Sequence, residues 1–426
     1  MGVGGPLAAG IQGHTNLTVS GGATVNATNS TSNLIGQNAG SSANVIITGA
    51  DTSVNFLNNR VLSLGTGLKG PSATPDTATN LVLDILDGAA LNTGRGNIAP
   101  RFIPIDPDEA LPGNITATVN VSGQGSEWNM SSGSLTIGDG ATNHGILNIS
   151  DGGKVNITPN SPFFNAGRNG SVGDITIDGA GSALTLSGSG AFATNGRSGT
   201  STVDITNGGK LIVDGFTGTG SRGFQLGRDA NTGADGTLNI TGPGSKLEVR
   251  GTRRGFASIS RNNYTSGTLN ITQGGKVLQN AGAVNFIGRN VGATGEVNVS
   301  GAGSEYAAGR LISIGIQSDE NSTGGTDTVN VSDSGLVKAK NMRLGYNGAL
   351  YIESGVQVVL TEGMQVGMDL NPVPPAPAGL ATVSVLGAGS KLSSGVPGSG
   401  FLIFWERFPC RYQHHRWRRD GGFSLR

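Results

Sequence analysis

Cysteine is nearly missing from this chain: Cys410 stands alone in 426 residues, so no intramolecular disulfide can staple the fold. Residues 1–400 contain none, which suits export through an oxidising compartment, where a stray thiol would cross-link. Charge is also scarce, at 13% of residues. It balances to zero, which removes any general electrostatic pull toward nucleic acid or an anionic membrane. Aromatics make up 5%, thin for the core of a conventional globular domain. No apolar run approaches the length of a membrane helix. The opening MGVGGPLAAGIQGHT has neither the basic nor the apolar region of a signal peptide, and an exported form is expected to carry a leader ahead of it. Catalytic signatures are absent as well: there is no GxSxG elbow, HExxH helix, phosphate loop or GGxGxDxUx calcium nonapeptide.

Glycine is abundant instead, at 74 residues, yet the chain does not read as a disordered linker. Its apolar residues are β-branched or Leu and recur at period 2, the signature of strands. The phrase VNVSGAGSEYAA (297–308) returns as VNVSGQGSEW (119–128), ITIDGAGSAL (175–184), LNITGPGSKL (238–247) and VSVLGAGSKL (383–392). Between these copies lies a second phrase: LNISDGGKV (147–155), VDITNGGKL (203–211), LNITQGGKV (269–277) and VNVSDSGLV (329–337). A third, an apolar pair ending in Gly, appears as LIGQN at 34, LTIGD at 135, FQLGRD at 224, FIGRN at 286, MRLGYN at 342 and MQVGMD at 364. Strand starts at 119, 147, 175, 203, 238, 269, 297, 329, 350 and 383 step first by 28 residues and then by 21 to 35. Leu17 and Val45 are also 28 apart, and a blurred copy starts at Leu83. Self-similarity at such a period predicts a β-solenoid of two or three short strands per repeat.

The organisation follows. Residues 1–118 hold irregular repeats with a Pro-bearing loop (Pro71, Pro75) and an insertion at 98–112 carrying Pro100, Pro104, Pro107 and Pro112. Proline cannot donate to a ladder, so these segments must leave the sheet. Residues 119–395 hold the regular repeats, interrupted by a Pro-rich excursion at 371–379. In each strand the valines, leucines and isoleucines point inward, and the outward position is Asn at 120, 148, 239, 270, 298 and 330, with Thr176 and Asp204 as departures. Equal side chains stacked coil on coil can form hydrogen-bonded ladders. Six residues after every one of these starts but Leu350 comes glycine: Gly125, Gly153, Gly181, Gly209, Gly244, Gly275, Gly303, Gly335 and Gly389, read as corners that need positive φ, with Asp51 as the substitute in the second repeat. These glycines and asparagines are structural.

One column carries the candidate site. Arg168, Arg197, Arg228, Arg261 and Arg289 follow the third phrase in five consecutive repeats. Read functionally, they form a basic stripe for an anionic surface polymer, since guanidinium suits carboxylate and phosphate. Read structurally, they are solvated turn residues neutralised in part by Asn169, Asp229 and Asn290. The acids are scattered. Asp229 and Asp235 share one loop, and the histidines are His14, His144, His414 and His415, so no acid and base cluster for glycan cleavage emerges. No metal and no cofactor is expected. Ice binding by flat threonine arrays fits less well, because outward positions mix Asn, Asp and Thr.

Alternating VNVSGAGSxW-like and LNISDGGKV-like phrases with LxIG between them resemble the passenger-associated repeats of bacterial autotransporters. The resemblance covers roughly residues 15–400. It implies an all-β, right-handed parallel β-helix with repeats of about 28–35 residues, exported across two membranes and displayed on the cell surface or released. A complete member has a leader and a C-terminal β-barrel translocator, so membrane contact would come only through that barrel. Adhesins, proteases and toxins share the scaffold, which leaves two classes open. One is a non-enzymatic adhesive or spacer-like solenoid, monomeric, whose partners are host or environmental glycans or surface proteins and not nucleic acid. The other is a glycan-active lyase or hydrolase on a β-helix.

The last segment, 401–426, breaks the composition. It holds six arginines against Glu406 and Asp420, a net charge of +4, so residues 1–400 carry −4. It also contains two of the three tryptophans and Cys410. Read one base later from Trp405, the permitted codons allow a phrase such as GSGSLAGTSTIAG, which restores the rhythm of the repeats. The expectation is a disordered, frameshift-derived tail without function, the lost frame continuing toward further repeats and a barrel.

Overall fold

The computed structural model describes residues 2–3, 7–11, 13–28, 33–36, 40–65, 79–101, 114–158, 162–215, 223–229, 233–251, 256–290, 292–316, 327–345, 347–367, 381–395 and 401–404. Among these, every regular element is a β-strand, and neighbouring strands pair in parallel. Each coil supplies a first, a second and a third strand. The first strands stack into a 13-stranded sheet running from His14–Val19 to Thr382–Leu386. The second and third strands form two further ladders. They merge into one 26-stranded sheet because Leu336–Leu344 and Gln357–Val366 each run through both faces. The chain is a parallel β-helix.

The spacing of the sequence is the register of the first face. Val119 pairs with Leu147, Leu147 with Ile175, Ile175 with Val203 and Val203 with Leu238. The series continues through Leu269, Val297, Val329 and Leu350 to Val383. Leu17, Val45 and Leu83 precede it in the same column. The boundary placed at 118/119 falls inside the strand Ile115–Ser122, which pairs in register with Thr79–Leu86 on one side and His144–Ser150 on the other. The insertion placed at 98–112 begins later than its sequence suggests: Ile98 closes the strand Arg95–Ile98, pairs with Leu64 and Ile137, and is fully buried. Pro71, Pro75, Pro104, Pro107, Pro112 and residues 371–379 lie outside the described residues. So do residues 405–426, whereas Phe401–Phe404 pairs with residues 363–366 and belongs to the solenoid. The 21-residue step from Val329 to Leu350 arises where the loop between second and third strands is dropped, leaving the single strand Leu336–Leu344 with a register shift between Ala339 and Asn341.

Period 2 translates directly into burial. Ile115–Ser122 alternates buried and half-buried along its whole length. Val119, Val121, Leu147, Ile149, Ile175, Ile177, Leu238, Ile240, Val297 and Val299 are each no more than 1% exposed. Each such side chain contributes about 1.5–3 kcal/mol on burial. Trp128, Phe164, Phe224 and Tyr306 are among the largest side chains buried in the interior, and the indole of Trp128 donates to Thr93 Oγ1 at 3.0 Å.

Outward asparagines bond to one another in one direction. Asn330 donates to Asn298 at 2.7 Å, Asn298 to Asn270, Asn270 to Asn239 and Asn239 to Asp204, the last three at 2.8 Å. Asn148 donates to Asn120 and Asn120 to Asp84. Asp204 is therefore no irregularity. A carboxylate only accepts, so Asp204 and Asp84 end their ladders where no donor is needed. A second ladder, on the second face, joins Asn156, Asn129, Asn92, Asn55 and Asn26.

The corner glycines divide into two kinds. Gly125, Gly181, Gly244, Gly303 and Gly389 have φ between 82° and 92°, and Asp51 has φ 62°. Gly153, Gly209, Gly275 and Gly335 do not have positive φ; in their coils that conformation falls on preceding residues such as Asp151 and Gly152. A different cause holds them: a Cβ there would lie 2.2–2.4 Å from the carbonyl oxygen of Val121, Ile177, Ile240 or Val299. Each GxGS turn caps the turn of the coil before it. Ser126, Ser182, Ser245, Ser304 and Ser390 of the GxGS turns accept the N–H of Gly88, Gly152, Gly208, Gly274 and Gly355 in the coil before.

Candidate functional site: the arginine column of the third face

The third strands set the column. Asp139 pairs with Arg168, and carrying the pairings of Ala166, Asn195, Leu226, Ile259 and Ile287 two residues onward aligns Arg168, Arg197, Arg228, Arg261 and Arg289 on successive coils. All five are half-buried. Arg197, Arg228 and Arg289 lie against the face. The guanidinium of Arg197 sits 5.6 Å from the ring centroid of Phe163, and its Nη1 reaches Asn165 Oδ1 at 3.5 Å, both in the preceding coil. Arg228 covers the ring of Phe192 at 4.7 Å, and Arg289 that of Phe286 at 4.8 Å. Phe163 and Phe192 are themselves stacked, with centroids 5.6 Å apart.

Among the described residues, Asp139 and Asp229 pair with arginines of this column. Arg168 approaches Asp139 at 3.4 Å, while Asp229 takes Arg197 at 3.1 Å and Arg228 at 3.7 Å. Burial, and then the positive charge of Arg289, pull the pKa of Arg261 below its ordinary value. The column thus holds its cations close together by laying them on aromatic rings and pairing some with acids. Asp229 is engaged by arginine, and Asp235 opens the strand Asp235–Thr241 on the first face.

Beneath the arginines runs a row absent from the sequence reading: Asn165, Thr194, Gln225 and Ser258, paired in register on successive coils. By strand alternation they point away from the interior, opposite to Phe164, Ala193, Phe224 and Ala257. Yet all four are no more than 1% exposed. Thr194 Oγ1, Ser258 Oγ and both polar atoms of the Gln225 side chain make no hydrogen bond. The signal available was the residue between the aromatic and the Gly of the third phrase, as in FQLG.

Elsewhere several charged groups neutralise one another. On the second face Lys210, Lys246, Lys276 and Glu305 share one column. Glu305 is held between Lys276 at 3.4 Å and Lys338 at 2.9 Å. Burial pushes its pKa up, but the hydrogen bonds and charges of the two lysines outweigh this and leave it low. Glu248 is alike, burial being overcome by Lys246 and Arg250. His144 Nε2 meets Asp174 at 2.8 Å across two coils of the first face, and His14 Nδ1 meets Ser42 Oγ at 2.5 Å. His414 and His415 lie outside the described residues. Among the described residues no three His, Cys, Asp or Glu side chains gather as a metal site. A small apolar cavity, about 10 Å³, lies inside the first coils among Leu17, Val45, Val54, Phe56 and Leu83, too small for a ligand.

No protein-family model matches the chain, and no curated protein matches it. Among solved structures, a match is the crystal structure of a TibC-catalyzed hyper-glycosylated TibA55-350 fragment. It is 14% identical, with a TM-score of 0.25, and covers 82% of this chain and 98% of that one. At that score the likeness carries no argument, and the fold assignment rests on the strand register above.

Proposed function

We propose that this chain is a non-enzymatic, surface-displayed or secreted solenoid of the autotransporter passenger kind, adhesive or spacer-like in its action. Its partners are glycans or surface proteins of a host or the environment, and it acts as a monomer without nucleic acid. The observation that carries this reading is the state of its outward polar groups. The Asn330–Asp204 and Asn156–Asn26 ladders spend their side chains on one another, which makes a stiff polar rod. Glu248, Glu305 and Asp229 are engaged by lysine or arginine, and an ionised, paired carboxylate is a poor general acid. A solenoid of near-identical coils also folds by propagation from neighbour to neighbour, which suits emergence from a membrane pore.

The test is a glycan array probed with the purified full chain, alongside a panel of extracellular matrix proteins. Retention on a restricted set of glycans or proteins is the expected result. No retention on either panel would leave only the spacer role, and release of sugar fragments would favour the enzyme.

A further inference from the structure

Thr194, Gln225 and Ser258 pose the sharpest physical problem in the molecule. Three consecutive coils bury hydroxyl and amide groups on an outward face and leave them without partners. A buried donor or acceptor left unpaired is costly, and natural folds rarely tolerate a row of them without a use. Above the row lie long, jointed side chains: Arg197 reaches back to Asn165 and Phe163, and Arg228 to Phe192. Ring stacking and a partly exposed ion pair with Asp229 are each modest contacts, so these arginines can swing out by rotamer changes when another anion takes them. The rings beneath them would then be exposed as flat apolar platforms beside the polar row.

We propose that the third face between Arg168 and Arg289 is a binding furrow for a linear anionic polysaccharide laid along the solenoid axis. Its acid groups engage the arginines, and its hydroxyls pair with Thr194, Gln225 and Ser258. The geometry favours this ligand over an acidic peptide. Adjacent coils stack about 4.8 Å apart, so the arginine column repeats at roughly that interval, close to the rise of one sugar ring in an extended chain. An extended peptide presents like-facing side chains at about 6.7 Å and falls out of step within two coils. Gln225 offers both a donor pair and an acceptor, and Thr194 and Ser258 offer hydroxyls, a set that matches sugar hydroxyls. Phe163 and Phe192, stacked 5.6 Å apart, suit the apolar face of a sugar ring. Asp229, which now holds Arg197 and Arg228, acts as the internal anion that the ligand displaces.

This inference rests on the reading of the chain as a binding rod, and the experiment separates the two. Titration calorimetry of the full chain is run with polygalacturonate, dextran sulfate, neutral dextran and polyaspartate. Binding to either anionic glycan, weakened by salt and not seen with neutral dextran or polyaspartate, is expected; which of the two binds distinguishes carboxylate from sulfate. Thr194→Val and the triple variant Thr194→Val, Gln225→Met, Ser258→Ala remove groups that have no partner in the free protein. They should therefore melt no lower than the parent, yet the triple variant should bind about tenfold more weakly. Arg228→Gln should flatten the salt dependence. Equal binding of polyaspartate, or unchanged affinity in the triple variant, overturns the furrow. Binding of neutral glycans alone also overturns it but leaves the adhesive reading standing, whereas silence from every glycan and surface protein removes both.

Discussion

Ser304 Oγ accepts the backbone N–H of Gly274 at 2.9 Å and donates to the carbonyl of Ser300 at 2.7 Å. One hydroxyl thereby closes its own turn and caps the turn of the coil before, which is why GxGS and GG phrases alternate. Ser304→Ala should leave the Gly274 N–H buried and unpaired, at a cost of about 1–3 kcal/mol. Hydrogen exchange at Gly274 reads this directly. Faster exchange there and at the adjoining coils is expected, and unchanged protection would contradict the cap.

The two kinds of corner glycine give opposite responses to the same change. Gly303, at φ 82°, has its nearest atom at 3.4 Å from an added Cβ, and asparagine tolerates that conformation. Gly303→Asn should cost about 1 kcal/mol or less. At Gly275 a Cβ would lie 2.2 Å from the Ile240 carbonyl oxygen, so Gly275→Asn should cost about 3 kcal/mol or more. Thermal melts of both variants check the order; equal losses would contradict the close approach.

How much of this could be read from the residues is clear in particular columns. The first face was legible because its repeat is written into every coil: the same start, the same inward pair, the same Asn. The second ladder, Asn26 to Asn156, was not, since strands such as TVNA, SVNF and ALNT share little beyond Asn itself. Gly153 and Gly303 look alike in sequence because both clash and torsion exclude side chains, and only coordinates tell them apart. The row Thr194, Gln225, Ser258 was illegible for a further reason. Alternation marks these residues as outward, and their burial is information that no local pattern holds.

Ile240 lies in the interior, fully buried between Ile205 and Ile271 in register. Ile240→Asp places a charge there without a partner. In a stack whose coils are stabilised by their neighbours, the damage should stay local. Limited proteolysis should cut near residue 240 and leave resistant fragments on either side. An unchanged melting curve and digestion pattern would contradict the inward assignment.

Asp327 supplies the pH dependence. Its Oδ1 accepts the Gly295 N–H at 2.7 Å, its Oδ2 has no partner, and it stands where other coils have Gly267 or Gly295. Burial raises its pKa well above the ordinary carboxylate value, only partly offset by that hydrogen bond. A group whose folded pKa is raised binds more protons folded than unfolded, so stability falls as pH rises. The loss should begin near the unfolded value, about pH 4, and continue to the raised folded value. Melting temperatures across pH 4–8 should decline more in the parent than in Asp327→Asn. Parallel curves would contradict the raised pKa.

The central claim, a rod that binds polymer without cutting it, is tested most directly by polymer chain length. The anionic glycan that binds in calorimetry, polygalacturonate or dextran sulfate, is passed over the immobilised full chain, eluted with salt, and sized against the starting material. The account predicts retention and elution at unchanged length. Shortened polymer, with the shortening lost in Asp229→Asn or Asp235→Asn, would contradict it.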